Sequence, residues 1–258
     1  MSRDSPMPPI SAVLITRNAA SQLEACLDAV SFCDEILVVD SGSTDETVAI
    51  AQRRGARVIA THWRGFGPQK QFAVEQAGND WVLCIDADER VSEPLRDAIR
   101  AALAAPAFTA YAFPRCNRFL GRYLRHGEGY PDWSLRLFDR RHARWSDDAV
   151  HEKVIADGAA GRLHGDLVHD SAETLEHYLE KQNRYTTLAA QAAHARGKQA
   201  GAAQLLLSPT LRFFKFYVLR LGFLDGVPGL IHILIGCGSS FLKYAKLRAM
   251  QTRPPLPR

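Results

Sequence analysis

Three apolar runs in the first ninety residues break off in polar side chains: "SAVLITRN" from Ser11, "EILVVDSGSTD" from Glu35 and "WVLCIDADE" from Trp81. Runs that are continuously apolar, not alternating, predict parallel strands covered on both faces. Helical patterns lie between them. "AASQLEACLDAV" follows the first run. After the second, Ser43 and Glu46 have the spacing of a capping box ahead of "TDETVAIAQRR", which Gly55 ends. "ARVIA" reads as a shorter strand, and the helix after it has Pro68 near its start and Gly78 beyond its end. The order β-α-β-α-β-α-β predicts an open, mostly parallel α/β sheet flanked by helices.

The pattern changes near Ser92, which caps "EPLRDAIRAALA". "AYAFPRCNRFLG", "DWSLRLFDR" and "GRLHGDLVH" then read as strands of an α+β half, with a basic, aromatic loop around "GRYLRHGEGYPDW". A long helix is expected from Ser171 to a stop at Gly197. The expected organisation is a flexible start over 1–10, one α/β domain over 11–170 in two halves (11–105 and 106–170), C-terminal helices over 171–250 and a tail over 251–258.

In open α/β sheets, ligands bind beyond the carboxyl ends of the strands. Thr16, Arg17 and Asn18, then Asp40 to Asp45, then Asp86 to Asp88 all fall at that edge. Side chains two apart on a strand share a face, which would stand Asp86 and Asp88 side by side. Dehydration and mutual repulsion both oppose that arrangement, so a cation is expected beside them.

Composition narrows the class. A chain of 258 residues, 47% hydrophobic and 23% charged, fits a globular protein of one large domain with an appendage. Its five cysteines are scattered, odd in number and never in a C-x-x-C pair, which reads as a reducing cytosol without disulfides or zinc. The opening "MSRDSPMPPI" holds no apolar core segment, so no secretory signal is expected. The net charge of +4 is unevenly spread: from Leu205 onward eight Lys or Arg face one acid, Asp225, a local +7 that leaves −3 for the rest.

The loops exclude several nucleotide folds. "TRNAAS" stands where a dinucleotide fold would carry G-x-G-x-x-G, no Walker loop is present, and the D-x-D follows the third major strand, not the first. What remains has a familiar form. "AVLITRNAASQLEACLDAV", "EILVVDSGSTDETVAIA" and "GFGPQKQFAVEQAGNDWVLCIDADE" resemble the donor-binding half of family 2 glycosyltransferases, the GT-A fold. The likeness continues through "YPDWSLRLFDR", "VHEKV", "LVHDSAETLEHYLEKQNRY" and "LRLGFLDGVPGL", where it is similar to bacterial lipopolysaccharide inner-core glucosyltransferases.

That resemblance implies an inverting transfer of a hexose, such as glucose, from a UDP-sugar, with Mg²⁺ or Mn²⁺ neutralising the leaving diphosphate. It implies Asp88 as the direct metal ligand, Asp86 as part of the same metal site, holding the ribose or a metal-bound water, and Asp40 accepting from the uracil N–H. Thr16 and Asn18 would line the base pocket, and Lys70 would face base or phosphate. Glu152 reads either as the catalytic base or as a structural salt-bridge partner, with Asp132 as the alternative base, and His151 either orients Glu152 or is an ordinary surface histidine. His169 would complete the metal shell. Trp133 reads either as a sugar platform or as core. Arg115, Arg118, Arg122 and Arg125 read either as contacts to a phosphorylated acceptor or as a solvated face. The expected acceptor is a lipid-linked saccharide. A lipid phosphate, another envelope glycan and a non-catalytic scaffold are the competing readings, and nucleic acid is not an expected partner.

The C-terminal segment carries a further expectation. Phe214, Tyr217, Val218 and Leu221 have the spacing of one helix face, and "GVPGLIHILIGCGSSFLKYAKLR" is apolar but interrupted by glycines, a proline and His232. The uninterrupted stretch is shorter than a spanning helix needs, so interfacial helices with a basic rim are expected, with packing on the domain or on a second copy of the chain as the competing reading. These would hold the protein peripherally on the cytoplasmic face of an anionic inner membrane.

Overall fold

A computed structural model describes residues 7–148, 152–171 and 174–252. The described residues form two compact units, one drawn from 7–116 and 132–170, the other from 117–131 and 171–252.

The first unit opens with β1 (Ile10–Thr16), α1 (Ala20–Ala29), β2 (Glu35–Asp40), α2 (Thr47–Arg53), β3 (Arg57–Ala60), α3 (Phe66–Gln76) and β4 (Trp81–Cys84). β1 pairs in parallel with β2 and β4, and β2 with β3, as the unbroken apolar runs predict. Next come β5 (Glu89–Val91), α4 (Glu93–Ala104) and β6 (Ala110–Phe119). After β7 (Arg122–Tyr123) of the second unit come β8 (Asp132–Asp139), β9 (Ala143–Trp145), β10 (Val154–Ala156), β11 (Gly161–Arg162) and β12 (Leu167–His169). The main sheet runs β3-β2-β1-β4-β8-β6-β12-β5, with β8 antiparallel to β4 and β6. β9 and β10 form a separate antiparallel pair.

Both faces of this sheet are buried. Leu14, Leu23, Leu27, Leu83, Leu95 and Phe113 belong to one apolar cluster; Val13, Val39, Val74, Val82, Phe138 and Trp145 belong to another. Ser92 caps α4 as expected, its Oγ accepting from the Leu95 N–H at 3.4 Å. The capping box before α2 does not form. Ser43 Oγ is spent on Asp40 and on the Asn18 N–H, and Glu46 stands at the helix start without a side-chain cap. Local spacing lost there to a loop-to-loop bond.

The second unit contains α5 (Leu175–Ala195), α6 (Ala202–Phe213), a π-helical turn (Phe214–Leu219), a 3₁₀ turn (Gly222–Asp225) and α7 (Gly226–Gln251). Two expectations are corrected here. Phe214, Tyr217, Val218 and Leu221 do not form one α-helical face, because the turn is π-helical and Leu221 leaves it with φ 54°. And α7 is unbroken over 26 residues, passing through Gly229, Gly236 and Gly238; with the 3₁₀ turn it makes a helical stretch long and apolar enough to cross a membrane. Two of its glycines mark close approach instead of interruption: a Cβ at Gly229 would lie 2.6 Å from that of Asp225, and one at Gly236 would lie 2.5 Å from the Glu128 carboxylate, whereas Gly238 faces open space. Asp225, buried, accepts from the Arg125 and His126 N–H groups at 3.0 and 2.8 Å, fixing the 117–131 segment to the 3₁₀ turn.

Candidate functional site

The carboxyl ends of β1 and β2 are laced together before any ligand is considered. Asp40, 2% exposed at the end of β2, accepts from Thr16 Oγ1 at 3.0 Å, from Ser43 Oγ, and from the Gly42 and Ser43 N–H groups at 3.0 and 2.8 Å. Asn18 adopts φ 52°, a left-handed conformation its short amide tolerates, and its Oδ1 accepts from the Thr44 N–H at 2.8 Å. Thr16, Asn18 and Asp40 are therefore brought together, and all four acceptor positions of Asp40 are occupied by the chain itself.

β4 ends at Cys84, so Asp86 and Asp88 lie in the turn beyond it, not on a strand face. They part company there. Asp86 pairs with Lys70 Nζ at 3.0 Å and with Arg136 at 2.8 Å. Asp88 turns to His169, its Oδ2 lying 3.2 Å from Nε2, with side-chain exposures of 31% and 18%. The cations expected beside Asp86 are thus two side chains of the protein. Sequence reasoning placed Lys70 at the site but missed Arg136.

These contacts belong to a longer series. Asp132 meets Arg115 at 2.8 Å, Arg115 meets Glu89 at 3.5 Å, and Glu89 meets Arg136 at 3.4 Å. Arg136 meets Asp86, Asp86 meets Lys70, and Lys70 meets Glu152 at 3.1 Å. Four acids and three bases alternate without a break, and the two candidate bases, Asp132 and Glu152, stand at its ends. Trp145 supports the middle: Lys70 Nζ lies 4.8 Å and the Arg136 guanidinium 5.5 Å from its ring.

The electrostatics follow from burial and neighbours. Burial alone would raise the Asp86 carboxyl, but the charges of Arg136 and Lys70 outweigh it and hold it well below the usual carboxylate range. Glu89 is 0% exposed, and burial, reinforced by the Asp86 charge, pushes its carboxyl up despite Arg136. For Arg136 burial is opposed by Asp86 and Glu89, which keep it firmly protonated. The signal that could have exposed Arg136 is its place among the buried residues of β8, Arg136–Asp139, where a charge needs a partner.

Other expectations resolve differently. Trp133 is 40% exposed with Arg162 stacked 4.7 Å over its ring, so it is not core. Arg115 is committed to Asp132 and Glu89, not to a solvated face. In the second unit Arg122 donates to the Leu224 carbonyl. His151 lies outside the described residues.

The residues available for a divalent metal are Asp88 and His169. A carboxylate and an imidazole are ordinary ligands for Mn²⁺, and no group of three such side chains occurs among the described residues. Two protein ligands fit an ion that takes its remaining oxygens from a diphosphate and water.

Comparison with known proteins agrees with this architecture. Residues 11–162 match the model of "Glycosyl transferase family 2". The chain is 32% identical over 260 residues to the lipopolysaccharide core biosynthesis glycosyltransferase LpsC of Rhizobium meliloti (strain 1021), covering 96% of both proteins. It is also 32% identical over 255 residues to an uncharacterized glycosyltransferase of Rickettsia felis, covering 94% of this chain and 90% of that protein. Among solved structures it shares its fold with the mannosyltransferase PcManGT of Pyrobaculum calidifontis in complex with GDP-Man and Mn²⁺, at TM-score 0.53 and 20% identity over 96% of this chain and 88% of that one. With its GT-A type sheet and a family match that spans the carboxyl-edge loops, the chain belongs to glycosyltransferase family 2.

Proposed function

We propose that this glycosyltransferase moves a hexose such as glucose, with inversion, from a UDP-sugar to a lipid-linked saccharide of the lipopolysaccharide inner-core type. The likeness to LpsC over nearly the whole of both chains supports the acceptor class. The observation that carries the chemistry is Lys70, which holds Glu152 and Asp86 together at the edge where the laced loops of β1 and β2 end.

In this reading Thr16 and Asn18 shape the base pocket. Asp40 meets the uracil N–H in place of the Ser43 or Thr16 hydroxyl, either of which can turn away. Asp86 faces the ribose and keeps Lys70 in position. Asp88 and His169 would hold Mg²⁺ or Mn²⁺, which would offset the charge left on the departing diphosphate. Glu152, oriented by Lys70, draws the proton from the acceptor hydroxyl as the anomeric carbon exchanges its bond to the diphosphate for one to the acceptor oxygen. Asp132, tied to Arg115, is the second candidate for that proton.

The C-terminal unit is assigned to the cytoplasmic face of the inner membrane. Leu206, Leu207, Leu211, Phe214, Leu219 and Val227 are each more than half exposed, and the local charge of +7 favours an anionic leaflet.

The test is UDP release from a panel of UDP-sugars with Mn²⁺, with and without lipid-linked core acceptor. Acceptor-dependent release is expected, together with its loss in Asp88→Asn, whose neutral amide is a poor ligand for a hard cation. Absence of release with every UDP-sugar overturns the donor assignment.

A further inference from the structure

The C-terminal unit contains a cavity of about 380 Å³ where α5 ends and the chain turns into α6, closed on its far side by α7. Arg196 and Lys198 line it from the turn, Lys243 and Tyr244 from α7, and Gln204 from the first turn of α6, over a floor that includes Leu247. No carboxylate is among its lining residues, and among the described residues none of the three cations makes an ion pair with one. Lys243 instead leans over the Tyr244 ring, its Nζ 4.6 Å from the centroid. Three cations around one concavity repel each other, and an occupant of opposite charge relieves that repulsion. Lys246, one turn along α7, shows the contrast: its Nζ is fully taken by four oxygens of Asn183, Thr186 and Thr187 at 2.6–2.8 Å.

Helical spacing from Gln204 leads along α6 to a series of exposed apolar side chains. One and two turns beyond Gln204, Leu207 and Leu211 are exposed, followed by Phe214 and Val218 in the π-helical turn. A cationic socket at the head of an exposed apolar track has the two-part chemistry of a phospholipid: an anionic phosphate and an acyl chain.

We infer that the cavity bounded by Arg196, Lys198 and Lys243 binds the phosphate headgroup of an anionic membrane lipid, with the lipid tail along Leu207, Leu211, Phe214 and Val218. This rests on the membrane reading above and goes further, since it replaces diffuse attraction by one saturable site. It also draws on Arg196 and Lys198, which lie outside the basic segment that begins at Leu205.

A charge-matched vesicle experiment tests it on the full chain. Neutral phosphatidylcholine vesicles are doped to equal surface charge with phosphatidic acid or with a fatty acid, whose carboxylate lacks phosphate. Diffuse attraction responds to charge alone and binds both alike; a phosphate socket prefers phosphatidic acid. The expected result is at least tenfold tighter binding to phosphatidic acid vesicles, lost in Arg196→Gln/Lys198→Gln. It should be retained in Arg184→Gln/Lys215→Gln, which removes the same charge from exposed positions outside the cavity. Equal binding of the parent to both vesicles, or a preference that survives in Arg196→Gln/Lys198→Gln, overturns the site while leaving membrane association standing. If soluble glycerol 3-phosphate saturates the cavity but the vesicles are not distinguished, the ligand is a free phosphate and the lipid assignment fails. Binding to neither vesicle refutes the membrane reading as well.

Discussion

Arg136 is the most informative residue to remove, because two acids depend on it. Arg136→Met preserves an unbranched side chain among the apolar residues of β8 and deletes the guanidinium. Asp86 then keeps Lys70 at 3.0 Å and remains 29% exposed, so its loss is partly screened. Glu89 fares worse: it is fully buried, and its remaining cation is Arg115 at 3.5 Å. Stranding one partner of a buried pair costs about 3–5 kcal/mol, and the partial exposure of Asp86 places this case near the lower end, ~3 kcal/mol. At about 2–4 °C per kcal/mol for a unit of this size, Tm should fall by roughly 6–12 °C. The pH dependence has a definite sign. Glu89 has a raised folded-state pKa, so its contribution is fully present below its ordinary value of 4.5 and is lost as pH rises through the folded value. Without Arg136 that folded value moves higher still, and the variant's deficit should be larger at pH 8 than at pH 5. Asp86, with its depressed pKa, loses its contribution only as pH falls below its ordinary value of 3.8, outside this window. Urea unfolding followed by tryptophan fluorescence reads the right unit, since Trp63, Trp81, Trp133 and Trp145 all lie in it. Arg136→Met/Glu89→Gln should recover much of the loss, because no uncompensated charge is then left inside. A deficit under about 1 kcal/mol, or one that does not grow with pH, refutes the linkage argument.

Glu152→Gln should keep UDP-sugar affinity and lose transfer rate, while Asp132→Asn should affect acceptor KM more than kcat; normal transfer by Glu152→Gln with a dead Asp132→Asn moves the proton acceptor to Asp132. Gly67→Ala should destabilise by about 1–3 kcal/mol, since its Cβ would fall 2.2 Å from the Ser146 carbonyl oxygen and 2.7 Å from that of Asp148, and a wild-type urea midpoint would refute the crowding. Asp225→Ala leaves the Arg125 and His126 N–H groups without their acceptor, and hydrogen exchange at those two amides should accelerate at least tenfold while the α1 amides are unchanged.

The donor half was legible because its signals are local. Continuous apolar runs identify buried parallel strands, and polar residues at their ends mark the edge where ligands bind, so Thr16, Asn18, Asp40, Asp86 and Asp88 could be placed at one edge from order alone. The carboxyl-edge loops carried the family likeness for the same reason. The C-terminal helix was misread at the same local level. Glycines within a helix read as interruptions until Asp225 and Glu128 are seen packed against them.

What only the tertiary structure decided is which charges meet. Asp86 and Asp88 are two residues apart, yet the turn sends one to Lys70 and Arg136 and the other to His169, from elements 16 to 81 residues away. Arg115, Glu89 and Arg136 form a series because β6 and β8 pair antiparallel and β5 closes the same sheet, and no spacing in the sequence encodes that adjacency. Arg196 and Lys198 share a cavity with Lys243 only because α5 and α7 pack together. Hydrophobic periodicity is a nearest-neighbour property of the chain and is therefore written along it. Ion pairing depends on distance in space and on burial, and both come into being only when the elements have packed.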